Sequence, residues 1–209
     1  MEGTEMNASS VREGMKKISQ IMAENKDYLI KLDQQNGDGD LGVSMSEGFA
    51  AAAAFVESTE ETDLGKIFMQ TGGVFNEAAP SSLGTIISFA FMGMAKSLKG
   101  KTEADMADFA EAVMAGVQKI MDKAGSKPGE KTILDSIYPA AQVLLDNKGA
   151  SKEEALSKAA QAAAEGSEST KAMKSVHGRA AYYGEKSIGH FWTAALWLES
   201  WIFEGPLLS

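Results

Sequence analysis

The sequence predicts an all-α fold, an eight-helix antiparallel barrel or bundle, in a single domain over residues 1–209. Apolar residues recur at spacings of three and four along most of the chain, which places them on one face of a helix. Twelve Met stand against only four Pro, and Met favours helices whereas Pro interrupts them. Since no run alternates apolar and polar residues long enough for a strand, we expect no extended sheet.

The chain begins with a segment, residues 1–8, that we predict to be a disordered tail. An apolar stripe then predicts one long helix over residues 11–32. Further helices are predicted, in chain order, at residues 43–57, 63–79, 81–98, 133–147 and 191–203.

Two more helices carry start signals. Thr102 is the predicted N-cap of a helix whose apolar face runs over residues 106–120. Ser151 and Glu154 form a predicted capping box, in which each side chain accepts from a free backbone amide, ahead of the Ala-rich segment 155–164. Together these segments make the eight predicted helices.

Charge and cysteine content exclude several classes of function. Lys and Arg number 20 against 29 Asp and Glu, a net charge of −9, so we expect no nucleic-acid and no membrane partner. The absence of cysteine excludes disulfides, thiolate metal sites and a cysteine nucleophile. Apolar stretches shorter than the roughly 20 residues of a membrane helix, and an N-terminus without secretion features, lead us to expect a soluble cytoplasmic protein.

Four segments rich in Gly, Pro or small polar residues interrupt the helical pattern: residues 36–42, 79–82, 125–131 and 176–190. Loops on a rigid scaffold commonly carry chemistry. We therefore expect the functional sites in these four segments.

The first interruption contains three closely spaced carboxylates, Asp33, Asp38 and Asp40, beside Gly37 and Gly39. Glycines permit a tight turn that brings the like charges together. A hard divalent cation such as Mg²⁺ or Ca²⁺ removes the resulting repulsion by binding carboxylate oxygens. The three aspartates are the predicted metal ligands.

The next helix is predicted to start at this loop. Ser44 and Glu47 have the spacing of a capping box, which would point free backbone N–H groups and the positive end of the helix dipole toward the carboxylates. A metal beside a helix N-terminus suits a phosphate group.

Two alternatives remain open for the same loop. It could be a plain solvated turn. It could also be an EF-hand calcium loop, with oxygen ligands at Asn36, Asp38 and Asp40 and with Glu47 at the twelfth position. Against the EF-hand, the sixth position needs Gly for its sharp turn and here is Leu41.

Three motifs resemble one known family, the nucleotide-binding L subunits (DhaL) of dihydroxyacetone kinases. Asp33 with residues 37–42, GDGDLG, is similar to the metal loop of that family. Residues 128–135, PGEKTILD, resemble its P-G-D-K-T-M-x-D segment. Residues 178–190, GRAAYYGEKSIGH, are similar to its G-R-A-S-Y-L-G-E-R-S-I-G-H segment. Order and spacing of the motifs agree over nearly the whole chain.

The resemblance implies a helical barrel that holds ADP or ATP at one rim, with two Mg²⁺ bridging Asp33, Asp38 and Asp40 to the phosphates. It implies phosphoryl transfer to dihydroxyacetone or a related ketose on a separate K subunit, without a phosphohistidine at His177 or His190. Family members use ATP or keep ADP as a coenzyme recharged by a phosphocarrier subunit of the sugar phosphotransferase system. That choice, the ketose and a homodimer stay open.

The resemblance also implies a set of nucleotide contacts. Arg179 would contact phosphate oxygens, Ile133 would line the base pocket, and the 79–82 turn would offer hydroxyls and N–H groups. From the residues alone, a surface ion pair, a buried helix start and a bare N-cap explain the same positions. The predicted nucleotide-binding residues are Leu41, Gly42, Ser44, Ser81, Ser82, Ile133 and Arg179.

The chain departs from the family pattern at specific positions. Leu41 replaces a histidine and Ser44 replaces an asparagine, so nucleotide contacts there must differ. His190 is followed by residues 191–193, FWT, where the family continues Q-D-P-G and closes a loop over the nucleotide. This departure keeps a second hypothesis open, a non-catalytic nucleotide-binding or regulatory module, beside the kinase subunit and the calcium-binding module.

Two further groups have structural interpretations. Asp135 either orients Lys131 or begins a helix, and aspartate at a helix start is the commoner case. The tryptophans near the C-terminus, at helical spacing, are predicted core or interface anchors: Trp192, Trp197 and Trp201.

Overall fold

The computed structural model describes residues 5–35 and 37–189, and over these the all-α prediction is confirmed. Eight α-helices lie within them, with one two-stranded sheet and two 3₁₀ segments. The helices are α1 Ala8–Glu24, α2 Lys26–Asp33, α3 Leu41–Ser58, α4 Leu64–Ala78, α5 Ser82–Ser97, α6 Met106–Ala124, α7 Leu134–Asp146 and α8 Lys152–Ser169. The strands are β1 Met6–Asn7 and β2 Glu103–Ala104, and the 3₁₀ segments are Thr170–Ala172 and Arg179–Ser187.

The single long helix predicted over residues 11–32 is wrong, because the chain divides into α1 and α2 at Asn25. The side-chain amide of Asn25 donates to the Ile21 carbonyl at 2.9 Å. Side-chain hydrogen bonds of this kind compete with the helical ladder. The helix predicted over residues 191–203, with its three tryptophans, lies outside the described residues.

The N-terminal segment differs from the predicted tail of residues 1–8. Residues 6–7 form a strand, in which Met6–Asn7 pairs antiparallel with Glu103–Ala104. Because residues 103–104 are extended in this pair, α6 starts later than predicted, and Thr102 is not its cap. Asp105 is the N-cap instead, and its carboxylate accepts from the Asp108 amide at 2.8 Å.

From α2 onward, consecutive helices lie antiparallel, whereas α1 and α2 both run antiparallel to α3. Gly48, near the start of α3, contacts the ring of Phe75 near the end of α4, which leaves no room for a side chain at position 48. Gly166, near the end of α8, contacts the backbone carbonyl of Asp135 near the start of α7. Short connections between packed helices produce this up-and-down arrangement.

This arrangement collects the chain interruptions at one end of the bundle, which we call the carboxylate end. The α2–α3 loop, the α4–α5 turn, the α6–α7 loop and the segment after α8 all lie there, since each follows a helix running toward that end or precedes one running away from it. They comprise residues 34–40, 79–81, 125–133 and 170–189.

In residues 5–35 and 37–189, the larger of two apolar clusters joins all eight helices. The Phe75 ring centroid lies 4.9 Å from that of Phe49 and 5.7 Å from that of Phe91, both in edge-to-face geometry, so one buried ring connects α3, α4 and α5. Among the helices of the described residues, none combines the length and the apolar character that crossing a bilayer requires.

Candidate metal and nucleotide site

The α2–α3 loop is shaped by contacts within seven residues. Asp33 ends α2; its carbonyl accepts from the Gly37 amide at 2.6 Å, and its carboxylate accepts from the Gly39 amide at 2.8 Å. Gly39 has a φ of +81°, in the left-handed region that favours glycine. At Gly37 a side chain would collide with the Asp33 carboxylate. The glycines are therefore required for the loop to fold back over Asp33.

The loop brings together the three predicted metal ligands. One carboxylate oxygen from each of Asp33, Asp38 and Asp40 lies within 4.8 Å of the others. Asp33 is half-buried, and Asp38 and Asp40 are exposed. Three converging carboxylates provide the hard oxygen donors that Mg²⁺ and Ca²⁺ prefer, so the donor set fits such an ion.

The helix that follows starts earlier than predicted. α3 begins at Leu41 with Asp40 as the N-cap residue, and the Asp40 carbonyl accepts from the Ser44 amide at 2.9 Å. Ser44 is buried within the helix and Glu47 is exposed in its second turn, so the predicted capping box of Ser44 and Glu47 is wrong. The prediction that a helix N-terminus lies directly beside the carboxylates is nevertheless confirmed.

This geometry disagrees with an EF-hand. The helix begins at the position where that calcium loop needs its sixth residue. From Leu41 to Glu47 the helix rises about 9 Å. The carboxylate cluster comprises Asp33, Asp38 and Asp40, and Glu47, the twelfth ligand of the EF-hand alternative, is not one of its members.

Several predicted nucleotide contacts are buried. Leu41 and Ile133 belong to the apolar core, and Ser44 is only 7% exposed. Gly42 contacts the Lys26 carbonyl of α2 so closely that a side chain would not fit, which gives this glycine a packing role. These four residues are therefore packed inside the fold and are not exposed at its surface.

The α4–α5 turn offers polar groups at the same end. Ser81 caps α5, since its hydroxyl accepts from the Gly84 amide at 3.1 Å, as the N-cap interpretation predicts. Ser82 is exposed. Ala79 contacts Gly48, so this turn lies beside the first two turns of α3.

The α6–α7 loop is organised by a buried carboxylate. Asp135 is 5% exposed and accepts from the backbone amides of Gly129 at 2.5 Å and Thr132 at 2.6 Å. It lies in the first turn of α7, so the interpretation that it begins the helix is confirmed.

Lys131 has a structural role that the sequence did not predict. It is 3% exposed, has a φ of +59°, and its ammonium donates to the carbonyls of Ser187 at 2.5 Å and Met173 at 3.2 Å. Burial lowers the pKa of Lys131. The only signal in the sequence is a lysine inside the segment 128–135, and its partners lie far away in the chain.

Those partners belong to residues 173–189, which we call the strap. The Gly189 amide donates to the Lys171 carbonyl at 2.8 Å, and the His177 ring lies 2.6 Å from the Glu130 carboxylate. The hydrogen bond with His177 lowers the pKa of Glu130. Arg179 opens a 3₁₀ segment of the strap, but its side chain lies outside the description, as do His190 and residues 191–193.

The glycines of the strap motif have a conformational reason. Gly178, Gly184 and Gly189 have φ values of +65°, +56° and +93°, where other residues are strained. Gly184 interrupts the 3₁₀ segment with a ψ of −126°. The motif of residues 178–190 therefore encodes three sharp backbone turns.

Comparison with known proteins agrees with this geometry. The DAK2 domain family matches residues 35–194. The chain is 33% identical over 178 residues to the PTS-dependent dihydroxyacetone kinase, ADP-binding subunit DhaL, of Lactococcus lactis, covering 85% of each chain. It is 32% identical over 167 residues to the PEP-dependent dihydroxyacetone kinase 1, ADP-binding subunit DhaL, of Listeria innocua, covering 80% of this chain and 79% of that one.

A crystal structure of the dihydroxyacetone kinase from C. freundii in complex with AMP-PNP and Mg²⁺ has the same fold, with a TM-score of 0.73 and 21% identity. The match covers 94% of this chain and 33% of that chain. The family match, the two relatives and the shared fold agree with the motifs of the loop and the strap. The chain belongs to the DAK2 domain family, in which it resembles the DhaL subunits of dihydroxyacetone kinases.

Proposed function

We propose that this chain is the nucleotide-binding subunit of a kinase that phosphorylates dihydroxyacetone or a related small ketose. Its carboxylate end would hold ADP or ATP with two Mg²⁺, and a partner K subunit would hold the sugar. The observation that carries the proposal is the convergence of Asp33, Asp38 and Asp40 within 4.8 Å beside the start of α3.

The chemistry of this end supports a bound phosphate chain. The three aspartates would hold the metal, and the first turn of α3 adds free backbone N–H groups and the positive end of a helix dipole. When bound, the Mg²⁺ ions would neutralise phosphate charge and position the group to be transferred. The residues of this chain then bind and orient the nucleotide, and no nucleophile from this chain is required.

The remaining predicted contacts are arranged around the same end. Ser81 and Ser82 start α5 beside α3, and the strap carries the backbone of Arg179. We propose that the Ser82 hydroxyl and Arg179 contact the nucleotide. The burial of Leu41, Ser44 and Ile133 leads us to propose that they line the floor of its pocket, with Leu41 and Ile133 as its apolar part.

The relatives guide the choice of substrate and partner. Two are named as ADP-binding subunits of PTS-dependent or PEP-dependent dihydroxyacetone kinases, and another relative, from Mycolicibacterium smegmatis, is an L-erythrulose 1-kinase. We therefore propose ADP as a coenzyme recharged by a phosphocarrier subunit, with a short ketose as acceptor. ATP as a direct donor is the alternative that the experiment must separate.

Calorimetry with ADP and Mg²⁺ tests the proposal. Wild type should bind ADP only when Mg²⁺ is present, and Asp38→Asn should weaken binding by at least about tenfold because it removes one of three converging charges. Glu47→Gln is the matched control, since it removes an exposed α3 carboxylate outside the cluster. Absence of binding by wild type, or equal binding by Asp38→Asn, contradicts the proposal.

Turnover separates the kinase from a non-catalytic relative. With the cognate K subunit, dihydroxyacetone and a phosphocarrier or ATP, the proposal expects ketose phosphate to form. ADP binding without any turnover would favour the binding or regulatory module, for which the altered residues 191–193 are the motivating observation.

A further inference from the structure

We propose that Lys131 is a positioning residue for the nucleotide: its buried ammonium fastens both ends of the strap to the α6–α7 loop and thereby fixes the backbone position of Arg179. This inference rests on the proposed function, because it concerns how tightly the nucleotide is held. It assigns Lys131 no contact with the reacting atoms.

The Lys131 ammonium bridges the two ends of the strap. Lys131 donates to the carbonyls of Met173 and Ser187, which stand at the two ends of the strap. A lysine ammonium has three donors and can therefore bridge two carbonyls. One side chain thus joins the ends of the strap to each other and to the α6–α7 loop.

Little else holds the strap. Among its side chains that the structure describes, only Ser175 and Ser187 are buried, and Tyr182 is 92% exposed. Apolar burial, the main source of stability elsewhere in the fold, therefore contributes little here. The position of the strap depends on polar contacts at its base.

Those contacts lie near Lys131. The Ser175 amide donates to the Ser187 hydroxyl at 3.0 Å, and that hydroxyl donates to the Gly184 carbonyl at 2.6 Å. The contact of His177 with Glu130 adds a second link to the loop that contains Lys131. Arg179 lies in the strap between these links.

Lys131 is held in an energetically unfavourable state. A buried ammonium loses its hydration, and the backbone φ of +59° lies in the left-handed region, which strains a residue that carries a side chain. Strained backbone and buried charge concentrate at functional sites. An apolar residue would fill the same space without burying a charge, so the ammonium is explained by what it holds.

The test compares Lys131→Met with wild type and with Lys158→Met. Met keeps most of the side-chain length and removes the ammonium, whereas Lys158 lies exposed on α8, paired with Glu154, and serves as the matched control. Two quantities are measured well below the unfolding temperature: hydrogen exchange of strap amides without nucleotide, and the dissociation constant of ADP with saturating Mg²⁺.

The proposal expects faster exchange at the Ser175 and Gly189 amides in Lys131→Met, with α3 to α5 unchanged, and a loss of ADP affinity of about tenfold or more. Lys158→Met should match wild type in both quantities. A purely structural role would lower the unfolding temperature and leave strap exchange and ADP affinity unchanged, which would overturn the proposal.

Ser187→Ala provides a second variant should Lys131→Met fold poorly. It removes two neutral hydrogen bonds within the strap and leaves the charges intact. Faster strap exchange with weaker ADP binding supports the proposal, and unchanged ADP binding despite a loosened strap overturns it.

If wild type binds no ADP, the proposed function fails and this inference falls with it. If wild type binds ADP and Lys131→Met behaves like wild type, this inference alone is overturned.

Discussion

Two loops at the carboxylate end handle their charged residues in opposite ways. In the α2–α3 loop, Asp38 and Asp40 are exposed and face Asp33 at short range. At the α6–α7 loop, Lys131 in the loop and Asp135 in the first turn of α7 are buried, and each contacts backbone groups. Like charges that converge near the surface repel each other, and a bound cation would relieve that repulsion. Buried charged groups need hydrogen-bond partners, and those bonds fix the backbone around them. We therefore propose that the first loop binds the metal and nucleotide and that the second loop fixes the backbone around it.

The largest expected effect concerns this second loop. Asp135→Ala leaves the amides of Gly129 and Thr132 without their acceptor, so we expect the free energy of unfolding to fall by about 3 kcal/mol. Asp146→Ala on the exposed side of α7 should change it by no more than about 0.5 kcal/mol. Urea denaturation measures both. A loss under about 1 kcal/mol for Asp135→Ala would contradict a holding role for this carboxylate.

A matched pair of glycine variants sharpens the comparison. Gly39 and Gly129 both have positive φ, +81° and +94°, so alanine at either should cost about 1 kcal/mol of stability. A side chain at Gly39 would also lie 2.9 Å from Gln34, whereas nothing lies within 4 Å at Gly129. Only Gly39→Ala should weaken binding of ADP with Mg²⁺ in calorimetry. If Gly129→Ala weakened ADP binding equally, the α2–α3 loop would not differ from the α6–α7 loop in its part in nucleotide binding.

The smallest effect is the pH dependence of the link between Glu130 and His177. The hydrogen bond with His177 lowers the pKa of Glu130 from its ordinary 4.5. The folded protein therefore binds this proton less readily than the unfolded chain, and the stabilising contribution is present above pH 4.5 and lost as pH falls through the folded pKa. Urea midpoints of wild type and Glu130→Gln should differ at pH 7 and converge as the pH falls below the folded pKa of Glu130. A difference that persists in acid would contradict this link.

Much of the helical fold follows from the sequence because the apolar stripe and the caps are local. The predictions of residues 43–57, 63–79, 81–98 and 133–147 match α3, α4, α5 and α7 within two residues at each end. The division between α1 and α2 at Asn25 involves a side-chain hydrogen bond. The apolar stripe runs on through this position and therefore gives no sign of the break.

The errors at other boundaries have a long-range cause. β1 and β2 pair residues almost a hundred positions apart, which moved the cap of α6 from Thr102 to Asp105. At α3, the loop glycines allow the helix to begin directly at Leu41, ahead of the predicted cap at Ser44.

The candidate site divides in the same way. The three aspartates could be predicted because they lie within eight residues and because like charges beside glycines indicate a metal. Lys131 could not, since its carbonyl partners lie 42 and 56 positions away. Backbone acceptors carry no signature in the amino-acid sequence.

The most direct test of the central claim is a crystal structure with ADP and Mn²⁺ in place of Mg²⁺, with anomalous data collected near the manganese edge. We predict anomalous peaks among the carboxylates of Asp33, Asp38 and Asp40, adjoining density for the ADP phosphates. Nucleotide density elsewhere, or ADP at this end with no anomalous peak among the three carboxylates, would contradict it.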